Sequence, residues 1–100
     1  MAAILICSHY LFNIMDKIKP IVFGTDWCPK TTGFRNYFNI IGVKFEYHNI
    51  EDEPEAEEAV KAMNNGKIKF PMITIGKKNL KNPSIQELNK VLNENDLLMN

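Results

Sequence analysis

The sequence predicts a single α/β domain: a four-stranded mixed sheet with three helices distributed on both faces, in the order β-α-β-α-β-β-α. Three observations carry this reading. A continuous apolar run, Ile18 to Phe23, passes through a short loop directly into an amphipathic stripe, so a buried strand feeds a helix. A second strand pattern, Val43 to Asn49, follows that helix, and a strand–helix–strand unit closes as a parallel, right-handed crossover. The last two strands are joined only by Gly76-Lys77-Lys78, which is too short for a crossover and makes them a hairpin.

Each element has its own local signal. Pro20 belongs near the start of the first strand, where no ladder N–H is needed. Gly24-Thr25-Asp26-Trp27 is a loop, and Pro29 suits the first turn of a helix, where its missing N–H costs nothing. Phe34, Tyr37, Phe38 and Ile41 then recur at i, i+3, i+4, i+7, one apolar stripe. Gly33 weakens that helix by ~1 kcal/mol relative to alanine, and Gly42 ends it. Val43 to Asn49 alternates apolar and polar residues, as a half-buried strand does. An acidic turn leads to a helix from Pro54 to Met63, stopped by Asn64-Asn65-Gly66. Met72 to Ile75 and Asn79 to Lys81 form the hairpin. Asn82-Pro83-Ser84 starts the last helix, whose Ile85, Leu88, Val91 and Leu92 face the core.

The totals narrow the function classes. The chain has 100 residues, 45% of them hydrophobic, with formal net charge +0. That balance gives no case for bulk attraction to nucleic acid or to an anionic membrane. The charge is nevertheless segregated: Glu51 to Glu58 is strongly acidic, whereas Ala59 to Gln86 holds no acidic residue and Lys61, Lys67, Lys69, Lys77, Lys78 and Lys81. This pattern fits a lysine-protected sheet edge; it also fits a positive rim for a carboxylate-bearing ligand. Two cysteines, Cys7 and Cys28, make no disulfide framework, and a reduced cytoplasmic thiol is expected. No zinc pattern, phosphate loop, Ser-His-Asp set or nucleic-acid motif is present, His48 has no Cys or carboxylate at metal-ligand spacing and His9 lies in the N-terminal stretch, so no metal is expected.

The first stretch, MAAILICSHYLFNI, is too short to span a membrane and lacks the marks of a signal peptide. Residues 1–16 read as an N-terminal extension that the fold does not require, with Met15 a second plausible start, and residues 17–100 as the domain. An arm entering at the start of the first strand begins at the opposite end of the sheet from Cys28, so Cys7 is not expected to pair with it.

Cys28 carries the chemistry. It sits between the first strand and the first helix, where unpaired N–H groups and the helix dipole favour an anion, so its thiolate is stabilised. Lys30 adds positive charge and the Thr31 hydroxyl can donate to the sulfur, with Pro29 opening the helix. Asp26 is acidic beside it and opposes the thiolate.

Trp27-Cys28-Pro29 in a strand–loop–helix setting resembles the active site of glutaredoxins, and Phe70-Pro71-Met72-Ile73-Thr74 resembles their cis-proline strand. The resemblance runs from Lys17 to Leu92, and the stretches Asn65 to Pro71 and Asn82-Pro83-Ser84 look most like mycoredoxins and related small bacterial glutaredoxin-like proteins. It implies a thioredoxin fold and an enzyme of thiol–disulfide exchange, with Cys28 the nucleophile. It also implies that Trp27, Arg35, Lys67, Phe70, Pro71 and Gly76 contact the thiol or the substrate. The co-substrate would be a low-molecular-weight thiol, whether glutathione, mycothiol or bacillithiol, and the partners protein mixed disulfides, with the protein a monomer.

Departures from the family pattern sharpen the expectation. The fourth position of the usual Cys-x-x-Cys site is Thr31, so the site is monothiol. It is not the Cys-Gly-Phe-Ser of iron–sulfur carriers, and Pro29 and Lys30 would crowd a cluster. The family lysine shortly before the cysteine is absent, and Phe70 narrows the groove. The competing reading is a binding or redox-sensing module of the same fold without efficient turnover; an iron–sulfur carrier is the third.

Overall fold

The computed structural model describes residues 18–98. The expectations for the N-terminal extension and for Cys7 lie outside the described residues. The elements follow the expected order: β1 (Ile21–Gly24), α1 (Pro29–Ile41), β2 (Glu46–Asn49), α2 (Pro54–Met63), β3 (Met72–Ile75), β4 (Lys78–Lys81) and α3 (Ile85–Glu94). The sheet order is β2-β1-β3-β4. β1 runs parallel to β2 and antiparallel to β3, and β3–β4 is the hairpin. This is the thioredoxin-like α/β arrangement. Among the described residues no helix is long and apolar enough to cross a membrane.

The strand alternation splits the core into two layers. Val22, Ile73 and Ile75 face one side and pack against Phe34 and Phe38 of α1 and Leu88, Val91 and Leu92 of α3. Phe23 and Met72 face the other and pack against Ala56 and Val60 of α2. So α1 and α3 share one face and α2 covers the second. Such period-2 partition is what a sheet buried on both faces requires.

Local details differ from the sequence reading: β4 begins at Lys78 rather than Asn79. β1 begins at Ile21 rather than Ile18, because Pro20 has no N–H and serves the ladder only through its carbonyl, which accepts from Glu46 N–H at 2.9 Å. β2 begins at Glu46 rather than Val43. Gly42, at φ 73°, turns the chain left-handed, and Val43 N–H is consumed by the Phe38 carbonyl at 3.0 Å in a Schellman-type cap, so it cannot join the sheet. Ile85 is 44% exposed rather than in the core, because it lines an open groove between the first turn of α3 and α1. The start of α3 is held instead by a capping box between Ser84 and Glu87.

Gly24 shows how tightly β1 meets α1. A Cβ built on it would lie 2.6 Å from Thr31 Cγ2 and 2.9 Å from Thr31 Cβ, and it would also overlap Thr31 Oγ1. The Thr31 Cβ belongs to the first helical turn and cannot swing away. Gly24→Ala is therefore expected to destabilise the fold by about 1–3 kcal/mol, the usual cost of overpacking. Urea unfolding checks this, and a neutral result would show that α1 can shift.

Candidate active site

Three loops converge at one end of the sheet. β1 and β2 are parallel, so the loops that leave their C-terminal ends, Thr25–Cys28 and Ile50–Glu53, lie side by side. β3 is antiparallel to β1, so its beginning, Phe70-Pro71, arrives at the same end. The Phe70–Pro71 peptide bond is cis. Asn82 closes the group from the end of β4 by donating its N–H to the Pro71 carbonyl at 2.9 Å.

Cys28 is the N-cap residue of α1, in extended conformation, and its N–H closes a turn onto the Thr25 carbonyl at 3.3 Å. Unlike Ser84 at α3, it makes no side-chain capping bond, and no acidic residue occupies the first turn of α1. The helix therefore presents its first N–H groups and positive dipole end to the sulfur. Burial pushes the thiol pKa up. Against it act the Thr31 N–H and hydroxyl, the Lys30 N–H and the Lys30 charge, and together they hold the thiol below its ordinary value. A narrow opening leaves 9% of Cys28 exposed.

The sign of that shift gives a pH prediction. A thiol whose folded pKa is depressed adds stability that grows as pH rises from the folded value towards the unfolded one, and loses it as pH falls through the folded value. Iodoacetamide should alkylate Cys28 with a midpoint below that of an unfolded thiol. Thr31→Val should move the midpoint up, and by more than Lys30→Gln does, because it removes the Thr31 hydroxyl, whose effect on the thiol exceeds that of the Lys30 charge, while both backbone N–H groups remain. An unshifted midpoint in the unsubstituted protein would show that the helix terminus does not act on the sulfur.

The surroundings divide into three groups. Trp27 is 65% exposed yet held on two sides. Its Nε1–H donates to Glu51 Oε1 and Oε2 at 3.1 and 3.2 Å, and its ring meets Phe70 edge-on with centroids 5.6 Å apart. Asp26 accepts from Tyr47 O–H at 2.7 Å and lies 3.9 Å from Arg35 Nη1. Arg35 also lies over the Tyr47 ring, 3.9 Å from its centroid. Burial, followed by the bond and charge of Asp26, pushes the Tyr47 hydroxyl up to about 12. Arg35 thus lies on the β2 side of the site, with its side chain 38% exposed. Beside Pro71, a groove of about 420 Å³ is lined by Ile68, Lys69, Phe70, Pro71, Lys81 and Asn82. A larger apolar groove of about 750 Å³ between α1 and α3 touches the site at Lys30 and Asn82 and does not include Cys28.

The structure brings together Trp27, Cys28, Pro29, Lys30, Thr31, Phe70 and Pro71. It does not bring in Gly76, which sits at φ 59° in the β3–β4 turn, at the end of β3 away from Pro71. A strand of four residues separates the two by ~13 Å. The turn needs that glycine for its left-handed backbone, and the residues that return to the site are Lys81 and Asn82. Lys67 belongs to the loop before Phe70 but does not line the groove; Lys69 does. Sequence reading missed Glu51 and Tyr47, although the parallel pairing of β1 and β2 implies that their following loops are neighbours.

The glutaredoxin family model matches residues 21–80, from the start of β1 into β4. The chain belongs to the glutaredoxin family. No curated protein sequence matches this glutaredoxin. Solved structures share its fold. A glutaredoxin from Archaeoglobus fulgidus is 18% identical, with 76% of this chain and 87% of that one covered and a TM-score of 0.64. Wheat glutaredoxin is 22% identical over 86% of this chain and 82% of its own, with a TM-score of 0.62. A buckwheat glutaredoxin–glutathione complex is 17% identical over 92% of this chain and 94% of its own, also at 0.62. Family membership and fold give this glutaredoxin a thiol–disulfide oxidoreductase-like role.

Proposed function

We propose that this glutaredoxin is a monothiol oxidoreductase that removes a low-molecular-weight thiol from protein mixed disulfides. The observation that carries the reading is Cys28 at an uncapped helix N-terminus with a threonine, not a cysteine, one turn on. The Cys28 thiolate attacks the small-thiol sulfur of the mixed disulfide. That S–S bond breaks, the protein thiolate leaves, and Cys28 carries the small thiol. A second small-thiol thiolate attacks the carried sulfur, which releases the low-molecular-weight disulfide and restores the Cys28 thiolate.

The remaining residues fit binding roles. Pro29 opens the helix, and Lys30 and Thr31 support the thiolate. Phe70 and Pro71 border the Lys69–Lys81 groove, whose two ammonium groups suit a carboxylate-bearing thiol, with Lys67 nearby on the same loop. Trp27 walls the other side. Arg35, beside Asp26 and over the Tyr47 ring with its side chain partly exposed, can meet a substrate carboxylate from the other flank. The buckwheat protein was solved with glutathione; mycothiol and bacillithiol are the other candidates. A reducing cytoplasm suits a site that works as a thiolate.

A mixed-disulfide reduction assay run with each of the three thiols tests the reading. Turnover with one of them is expected, together with that thiol's mass adduct on Cys28 in protein purified without reductant. No turnover with any of the three overturns it.

A further inference from the structure

We propose that the outer edge of β4 docks an extended segment of a partner protein, acidic at every second residue, which adds to the sheet as a fifth strand. β4 is an end strand, bonded to β3 alone. Antiparallel backbones turn their N–H and C=O groups alternately towards and away from the neighbouring strand. The Asn82 N–H donates to the Pro71 carbonyl, so Asn82 faces β3. Leu80 and Lys78, opposite Ile73 and Ile75, continue that phase and also face inward. Asn79 and Lys81 therefore turn their backbone groups outward, where no partner meets them among the described residues. Such a row of free donors and acceptors is a template for another strand. β4 reads Lys-Asn-Leu-Lys, with no proline and no bulge in its register to block one.

Charge selects the occupant. Lys78 and Lys81 on β4, Lys77 in the turn and Lys69 before β3 are exposed and join no ion pair among the described residues. Lysines along an edge repel a second copy of the same edge, and they attract carboxylates. The two faces of the edge call for different side chains. Lys81 lies opposite Met72 and so shares the face of the sheet that carries α2, where it borders the Pro71 groove with Lys69 and no acidic residue. On the other face Leu80 and Val91 share a pocket of about 180 Å³ with Lys78, Lys90, Glu87 and Glu94, a rim of mixed charge. Side chains of a strand alternate between faces. A segment with carboxylates at every second position and apolar residues between them satisfies both, its carboxylates over Lys81 and its apolar side chains over Leu80. β4 ends at the Pro71 groove, so the docked strand reaches the same end of the sheet as Cys28. That the segment brings a mixed disulfide there rests on the exchange reading above; the docking itself does not.

The probe is a short, end-blocked peptide of alternating glutamate and valine, labelled with a fluorophore and titrated with the full chain by anisotropy. Binding that weakens as salt rises is expected, with slowed hydrogen exchange at the Asn79 and Lys81 amides and not in β2, the opposite edge. Methylating the peptide's backbone nitrogens at one residue type, glutamate or valine, should weaken binding about tenfold, the loss of a backbone hydrogen bond. Methylating the other type should not, since only one set faces β4. Asn79→Pro, which removes an N–H that an edge strand does not use, should weaken binding to the same degree, and the methylated peptides carry the test if that variant disturbs the hairpin. Lys78→Gln with Lys81→Gln should lower both the affinity and its salt dependence. A peptide of the same composition with its glutamates in one block should bind about tenfold more weakly. The proposal is overturned by no binding, by equal binding of the block peptide, by equal effects of the two methylations, or by protection in β2 instead of β4. It is also overturned if the β4 amides become protected as protein concentration rises without peptide, which makes the occupant a second copy. Exchange of a small-thiol disulfide is followed on the same samples. Docking absent with exchange intact removes this proposal alone, and exchange absent with docking intact removes the exchange reading alone.

Discussion

Cys28→Ser is expected to reduce mixed-disulfide exchange to the uncatalysed background. The nucleophile in thiol–disulfide exchange is the thiolate. A serine hydroxyl does not ionise near neutral pH, and oxygen does not form the sulfur–sulfur intermediate that the reaction passes through. No second cysteine lies among the described residues to substitute for it. The replacement is nearly isosteric, and the position makes no side-chain capping bond that serine would disturb. The variant should therefore fold normally and melt close to the unsubstituted protein. An exchange assay beside a thermal melt separates lost chemistry from lost structure. Full activity in the folded variant would remove Cys28 from the mechanism and with it the exchange reading above.

Phe38→Ala should have the largest effect on stability. Phe38 is 0% exposed, sits between α1 and the sheet, and packs against Phe45 with ring centroids 5.2 Å apart. Removing its ring forfeits the transfer free energy of a large apolar side chain and opens a cavity between two rigid layers. The expected loss is about 3–5 kcal/mol. Domains of this size are stable by only about 5–15 kcal/mol, so the variant should be partly unfolded at elevated temperature and lose its site along with its core. Ile40, on the same helix but 82% exposed, is the control, and Ile40→Ala should change stability by no more than about 0.5 kcal/mol. Urea titrations of the two variants decide the matter; a Phe38→Ala loss below about 1 kcal/mol would mean that α1 collapses onto the sheet without cost.

What the sequence determined by itself is local. Pro29 and Gly42 bracket α1 because one lacks an N–H where none is needed and the other tolerates a positive φ. Pro54 opens α2 in the same way, whereas Asn64, at φ −136°, ends it with its N–H on the Lys61 carbonyl. The order of elements and their loop lengths then leave few topologies, and the strand–helix junction that exposes Cys28 follows from them. The bounds of β1 and β2 were less legible, because apolar runs do not show which N–H a cap consumes. The tertiary structure alone decided how the loops meet. Trp27 bonds Glu51 across 24 positions and Tyr47 bonds Asp26 across 21, contacts that exist because register sets Gly24 opposite Asn49. That register set Asp26 against Tyr47 and Arg35, and the β3–β4 pairing of Met72 with Lys81 placed Lys81 and Asn82, not Gly76, beside Pro71. Periodicity and caps act within a few residues of their own position, whereas side-chain partners across a sheet depend on which residues face each other, and a shift of one residue would exchange every one of them.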